Sequence, residues 1–220
     1  NIDIGGPTMV RAAAKNYKDV TVITNISQYE SLIKNINQNK GATSLEFRKK
    51  SALEAFGETA YYESLIYNYF RGLNSNEFSR KFAVGFNLIE KLRYGENPHQ
   101  EGAIYSASEN LNLDKLNGKQ LSYNNYSDIF AALQISKTFP NKKGTVIVKH
   151  GNPCGVSVHE NNIESFLHAY KCDPLSAYGG IVSCNFKVSK KLALELNKLF
   201  FEVIIANGFD KDALYLLKRK

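Results

Sequence analysis

No apolar run in this sequence approaches the roughly 18 residues that a helix needs to cross a bilayer. The first residues include the acidic Asp3 and lack the apolar centre of a secretory signal. Cysteine is scarce: Cys154, Cys172 and Cys184 are odd in number and unevenly spaced, which does not make a disulfide framework and predicts free thiols in a reducing compartment. A cytosolic protein is expected. No Cys-x-x-Cys pair is present for zinc. The zinc-deaminase pattern fails too, because Val156 and Ser157 follow where the second cysteine should come after Cys154. The sequence also lacks a Walker loop, a dinucleotide fingerprint, a serine nucleophile elbow and any internal repeat. Metal-dependent, P-loop and triad chemistry are therefore not expected.

What is present is enough apolar residue, 43% of 220, to build one large core or two smaller ones. The net charge of +7 raises the question of a polyanionic partner. The lysines, however, are spread through helical stretches such as 47–53 and 189–200, and the one dense basic cluster is Lys218, Arg219 and Lys220. Solvated helix faces account for that distribution. A basic module that holds nucleic acid through lysines and tyrosines stays as the rival class; Tyr61, Tyr62, Tyr67 and Tyr69 share one helix, where packing is the simpler use of them.

Along the chain, 2–4 reads as a strand, Gly5 and Gly6 as a turn, 7–15 as a helix with Pro7 near its start, and 20–24 as a β-branched strand. A long helix is expected over 44–70, with Leu45, Ala52, Leu53, Phe56, Ala60 and Leu65 on its buried face. Gly, Asn and Ser over 71–79 predict a boundary, giving segments 1–78 and 79–220. The second segment reads as a loop over 93–100, helices over 127–139, 163–171 and 189–201, and strands over 145–148, 180–184 and 203–206. This alternation predicts an α/β fold with a largely parallel sheet, and residues 151–155 as a turn.

Four runs are candidates for chemistry. In Val146-Ile-Val-Lys149-His150-Gly-Asn-Pro-Cys154-Gly155 a hydrophobic strand delivers two ionisable groups to its carboxyl end, where open α/β sheets place their sites. Histidine there suits a general base and lysine a proton donor or charge stabiliser, while a solvated lysine and a turn histidine are the plainer alternative. Neighbouring strand residues point to opposite faces, so both reach one substrate only if the strand breaks at His150. The run 92–100 concentrates Arg93, Tyr94, Glu96, Asn97, His99 and Gln100 in one loop; arginine suits a phosphate or carboxamide, and tyrosine a base. A structural turn around Gly95 and Pro98 explains the same residues. In 172–182, Gly179 and Gly180 enter a strand and allow close approach to a ligand or a simple bend. In 3–8, Asp3, Ile4 and two glycines lead into a helix N-terminus with free amide donors, and Lys15 lies near that helix's end.

Taken in order, these runs, with Leu121 to Asn125 and Ile204 to Gly208, closely resemble the family of bifunctional enzymes combining phosphoribosylaminoimidazolecarboxamide formyltransferase with IMP cyclohydrolase. The resemblance spans nearly the whole chain. It implies an internal part of a longer enzyme: a methylglyoxal-synthase-like α/β segment from the cyclohydrolase domain, then part of a cytidine-deaminase-like α/β transformylase domain without zinc. It further implies formyl transfer from 10-formyltetrahydrofolate to the aminoimidazole carboxamide ribonucleotide (AICAR), and closure of the formylated product (FAICAR) to IMP. His150 is then the base, Lys149 the stabiliser of the transition state and helper of the leaving folate nitrogen, and Lys15 the proton donor and acceptor of ring closure. Arg93, Tyr94, His150 and Gly179 are implied as ribonucleotide contacts, Asp3 and Ile4 as cyclohydrolase nucleotide contacts, and Glu202 as a folate contact. A cytoplasmic homodimer without metal, nucleic acid or membrane partner completes the expectation.

Overall fold

The protein is described by a computed structural model covering residues 1–73, 78–108, 110–140 and 142–219. It divides into two compact units, Asn1–Asn87 with Ser106–Glu109, and Leu88–Tyr105 with Asn110–Lys220.

In the first unit, helix α1 (Gly5–Lys15) packs on the long α3 (Leu45–Leu73), and α2 (Tyr29–Gln38) lies between them in sequence. The seam of α1 and α3 is made of small side chains: Ala14, Ala52 and Ala55 are buried with Val22, and Val10, Ala13 and Tyr17 pack around them. That corrects the expected face of the long helix. Leu45, Leu53, Phe56, Ala60 and Leu65 are exposed, whereas Ser51, Ala52, Ala55, Thr59 and Ser64 are buried. Residues without bulk let two helix backbones approach, so the buried stripe is chosen by size rather than by hydrophobicity. Arg48 fastens the following segments by donating to the carbonyls of Tyr17 and Lys18, the latter at 2.7 Å, and of Thr43.

The strands expected over 2–4 and 20–24 are not formed, and neither segment is paired with another among the described residues. Their β-branched residues suit a sheet, but a strand is completed by its neighbour's hydrogen bonds, which propensity alone does not supply. Of the boundary expected over 71–79, residues 71–73 continue α3 and 74–77 lie outside the described residues.

Two short strands, β1 (Asn87–Lys91) and β2 (Ala103–Ser106), pair in a small sheet. The rest of the second unit is built on a four-stranded sheet in the order β4-β3-β5-β6, where β3 is Gly144–Lys149, β4 Asn152–Val158, β5 Ile181–Val188 and β6 Val203–Phe209. Helix α4 (Tyr123–Ser136) covers one face with Tyr126, Ile129 and Ala132 against Val146, Val148 and Ile181. The other face carries Ile147, Val182, Cys184, Phe186 and Val188 against α5 (Asn162–Cys172), α7 (Lys190–Asn197) and α8 (Lys211–Leu217), with Phe166, Leu192 and Leu196 fully buried. Alternate residues of each strand thus serve opposite layers, as a sheet covered on both faces requires. A four-residue helix, α6 (Pro174–Ala177), precedes β5.

The sheet is mixed rather than largely parallel: β3 runs antiparallel to both β4 and β5, and only β5 and β6 are parallel. The departure begins at residues 151–155, expected as a turn. The chain instead reverses in two residues, His150 (φ 52°) and Gly151 (φ 75°), and returns at once as β4. Two consecutive residues of positive φ match the right-handed twist of a tight hairpin, and glycine takes that conformation freely. Between Ile147 and Val148 the β3–β4 register shifts, so that Cys154 is an extra residue in β4 between the pairs Ile147 with Gly155 and Val148 with Pro153. Such a bulge accommodates Pro153, which has no N–H to give.

Gly155 lies directly under α5. A β-carbon there would collide with the Ala169 carbonyl, its carbon only 2.8 Å away. Backbone cannot yield as a flexible side chain does. Gly155→Ala is therefore expected to destabilise the protein by about 1–3 kcal/mol or more, read as a lowered denaturation midpoint; an unchanged midpoint would show that α5 lifts off β4 without cost.

Candidate active site

Three segments converge on one edge of the mixed sheet. Since β3 opposes β5, with Val148 opposite Ile181, the carboxyl end of β3 meets the amino end of β5. The amino end of β6 joins them through the pair Ile181 and Val203. Lys149, His150, Gly179, Gly180 and Glu202 therefore leave the sheet side by side despite their separation in sequence. Lys149 Nζ donates to the carbonyl of Tyr178, and a β-carbon on Gly179 would come within 3.3 Å of that ammonium. Gly179 N–H donates to Phe200 O (2.8 Å), and Glu202 N–H to Gly180 O (3.1 Å). Asp173 caps α6 just upstream, its carboxylate accepting from Ser176 Oγ (2.6 Å) and Ser176 N (3.0 Å); these bonds hold the carboxyl below its usual range.

The turn after Lys149 breaks the strict alternation of the strand. His150 is exposed and Lys149 partly so, and the left-handed conformation of His150 frees its side chain from the strand's two-sided pattern. Both groups accordingly sit at one edge.

Helix α4 gathers the remaining segments. Ser122 caps it, and Asn125 answers from the third position, its Oδ1 taking the N–H and the hydroxyl of Ser122. The same amide donates through Nδ2 to Glu202 Oε2 at 2.6 Å. One turn further, Asp128 receives the N–H groups of His150 and Gly151. The Arg93 loop docks on the helix start: Arg93 N–H donates to Leu121 O (3.0 Å), Tyr123 N–H to Tyr94 O (3.1 Å), and Asn124 Nδ2 to Glu96 O (3.1 Å). The guanidinium of Arg93 lies 4.8 Å from the ring centroid of Tyr94 and donates to its hydroxyl, which fixes the two as a pair. Tyr126, lower on the helix, donates to Glu90 Oε2 at 2.8 Å. Burial, aided by that carboxylate, pushes its phenol up to about 12.

No local pattern assigns a role to Asp128, or a partner to Asn125 at the end of the 121–125 run, because their partners are 22 and 77 residues away. The available signal was local: Ser122 and Asn125 at capping-box spacing place the helix start at Tyr123, four residues before the expected one, and put Asp128 one turn along the same face.

The first unit holds the other candidates. Asp3 Oδ1 accepts from Gly6 N–H (3.2 Å), and its own N–H donates to Tyr62 Oη (2.8 Å). Lys15 is the last residue of α1 and, with Thr8, Arg11, Ala12 and Phe56, lines a cavity of about 450 Å³. Asp3 and Ile4 are at the opposite end of this 11-residue helix, about 15 Å away at 1.5 Å per residue, and do not line the cavity.

The three cysteines are free thiols, and no group of His, Cys, Asp and Glu suited to a metal occurs among the described residues. No described helix is long and apolar enough to cross a membrane.

The family model described as the AICARFT/IMPCHase bienzyme matches residues 13–220, across both units. The chain belongs to this family. Among curated proteins of the bienzyme family, it is 45% identical over its whole length to the bifunctional purine biosynthesis protein PurH of a Thermoanaerobacter species, 46% to that of Persephonella marina and 42% to that of Listeria monocytogenes. It spans 44% of the length of each of these bienzyme relatives.

Proposed function

We propose that this chain is part of an enzyme of purine biosynthesis that transfers a formyl group from 10-formyltetrahydrofolate to AICAR and closes FAICAR to IMP. The observation that carries this reading is a bienzyme family match extending through both units. The first unit is assigned to the methylglyoxal-synthase-like cyclohydrolase part, and the second to the cytidine-deaminase-like transformylase part, which needs no zinc.

In formyl transfer the AICAR amine attacks the formyl carbon while His150 takes the amine proton. The new N–C bond forms as the bond from that carbon to the folate nitrogen breaks; Lys149 stabilises the negative charge developing on the formyl oxygen and gives the leaving nitrogen its proton. The shared sheet edge of Lys149 and His150 supports this division of roles. Arg93 and Tyr94, with His150 and the backbone at Gly179, hold the ribonucleotide, and Glu202 holds the folate. In ring closure the amide nitrogen attacks the formyl carbon and water leaves. Lys15 moves the proton there, with Asp3 and Ile4 on the nucleotide. The enzyme acts as a cytoplasmic homodimer, and its scattered positive charge calls for neither nucleic acid nor membrane.

The deciding comparison is between this chain and a version extended to the full length of its relatives. The extended protein is expected to consume 10-formyltetrahydrofolate only when AICAR is present and to sediment at twice its chain mass. An extended protein that binds AICAR yet transfers nothing would overturn the proposal.

A further inference from the structure

We infer that Asp128 is a positioning residue for formyl transfer, its carboxylate holding the left-handed turn that presents His150; the inference rests on the role proposed above for that histidine. Each oxygen takes one amide: Gly151 N–H lies 2.6 Å from Oδ1 and His150 N–H 3.2 Å from Oδ2. His150 pays for its φ of 52°, which a residue with a β-carbon adopts rarely. Hydrogen bonds to an ionised carboxylate are stronger than those between neutral groups, and here two of them fix consecutive peptide planes.

The carbonyl side of His150 is held as well, by Asn152 Nδ2 at 3.0 Å. Among the described residues no hydrogen bond holds the imidazole itself, so its place is set through the backbone. Asp128 can set it because its own helix is anchored: Tyr126, Ile129 and Ala132 of α4 are buried against Val146 and Val148, the strand that leads into the turn. The support stands on a packed element rather than a loop, as precise placement of a reacting group demands.

The test uses the full-length enzyme. Displacing a reacting group by about 1 Å can cost on the order of 100-fold in rate. Asp128→Ala is expected to lower kcat for formyl transfer by about that factor, and, because His150 also contacts the ribonucleotide, to raise KM for AICAR by a smaller factor than kcat falls. Because Asp128 acts through His150, its loss should cost nothing further once the imidazole is gone: His150→Ala combined with Asp128→Ala should be no slower than His150→Ala alone. A purely structural role would make the two losses multiply, and that result overturns the inference, as does wild-type kcat in Asp128→Ala. Should the alanine variant fail to fold, Asp128→Asn, which keeps the shape but only one acceptor oxygen, is expected to lose about tenfold, and wild-type kcat in that variant is equally fatal. Full activity in His150→Ala would instead remove the functional reading itself, which separates the two failures.

Discussion

Replacing His150 by alanine in the full-length enzyme is expected to lower formyl transfer by about 100-fold to 10,000-fold, the usual cost of removing a positioned general base. The AICAR amine is a weak nucleophile and acquires positive charge as it attacks, so the transition state needs somewhere to put a proton. His150 is exposed at the sheet edge with its backbone fixed on both sides, whereas His159 and His168 face each other beyond β4, their ring centroids 5.3 Å apart. Steady-state rates with saturating folate and varied AICAR would measure the effect. A loss below about tenfold would put the base elsewhere.

Lys15→Ala is expected to reduce ring closure by a comparable factor, about 100-fold to 10,000-fold, while formyl transfer in the same preparation is retained. The reason is the division of the chain: Lys15 belongs to the first compact unit, whereas Lys149, His150, Arg93, Gly179 and Glu202 all belong to the second. Lys15 shares its cavity with Arg11, whose guanidinium stands 5.7 Å from the Phe56 ring centroid, so a second cation stays in place when the lysine is removed. Positive charge in that cavity is therefore reduced rather than abolished, and the variant isolates proton movement from attraction. Following FAICAR conversion and formyl transfer separately would measure both; parallel loss of the two activities would defeat the assignment.

How much of this was legible in the sequence differs from element to element, for physical reasons. The strand through Val146, Ile147 and Val148 was readable because a buried strand needs apolar residues toward both layers, and no other local structure explains them so briefly. Helices α5 and α7 stand where the alternation of segments puts them, over 163–171 and 189–201, although α7 stops at Asn197, short of residue 201. The direction of β4 was not, since a two-residue reversal depends on backbone angles at His150 and Gly151 that composition only permits. The requirement that the strand break at His150 did follow from side-chain alternation, and the break is there. The hidden part of the candidate site is α4. Its hold on Glu202 and on the turn at His150 depends on contacts between residues far apart in the chain, which no local pattern encodes.

The extra residue at Cys154 bears on more than the shape of a hairpin. Side chains along β3 serve the α4 layer and the α5 layer by turns, so sliding β3 by one position would exchange Val148 with Ile147 and carry Lys149 to the wrong side of the sheet. The bulge marks one position that β4 cannot occupy in any other alignment, and Gly155, pressed against Ala169, marks the next. Together they act as an index pin: the address of the lysine is written in the strand opposite it, in residues that need never touch a substrate.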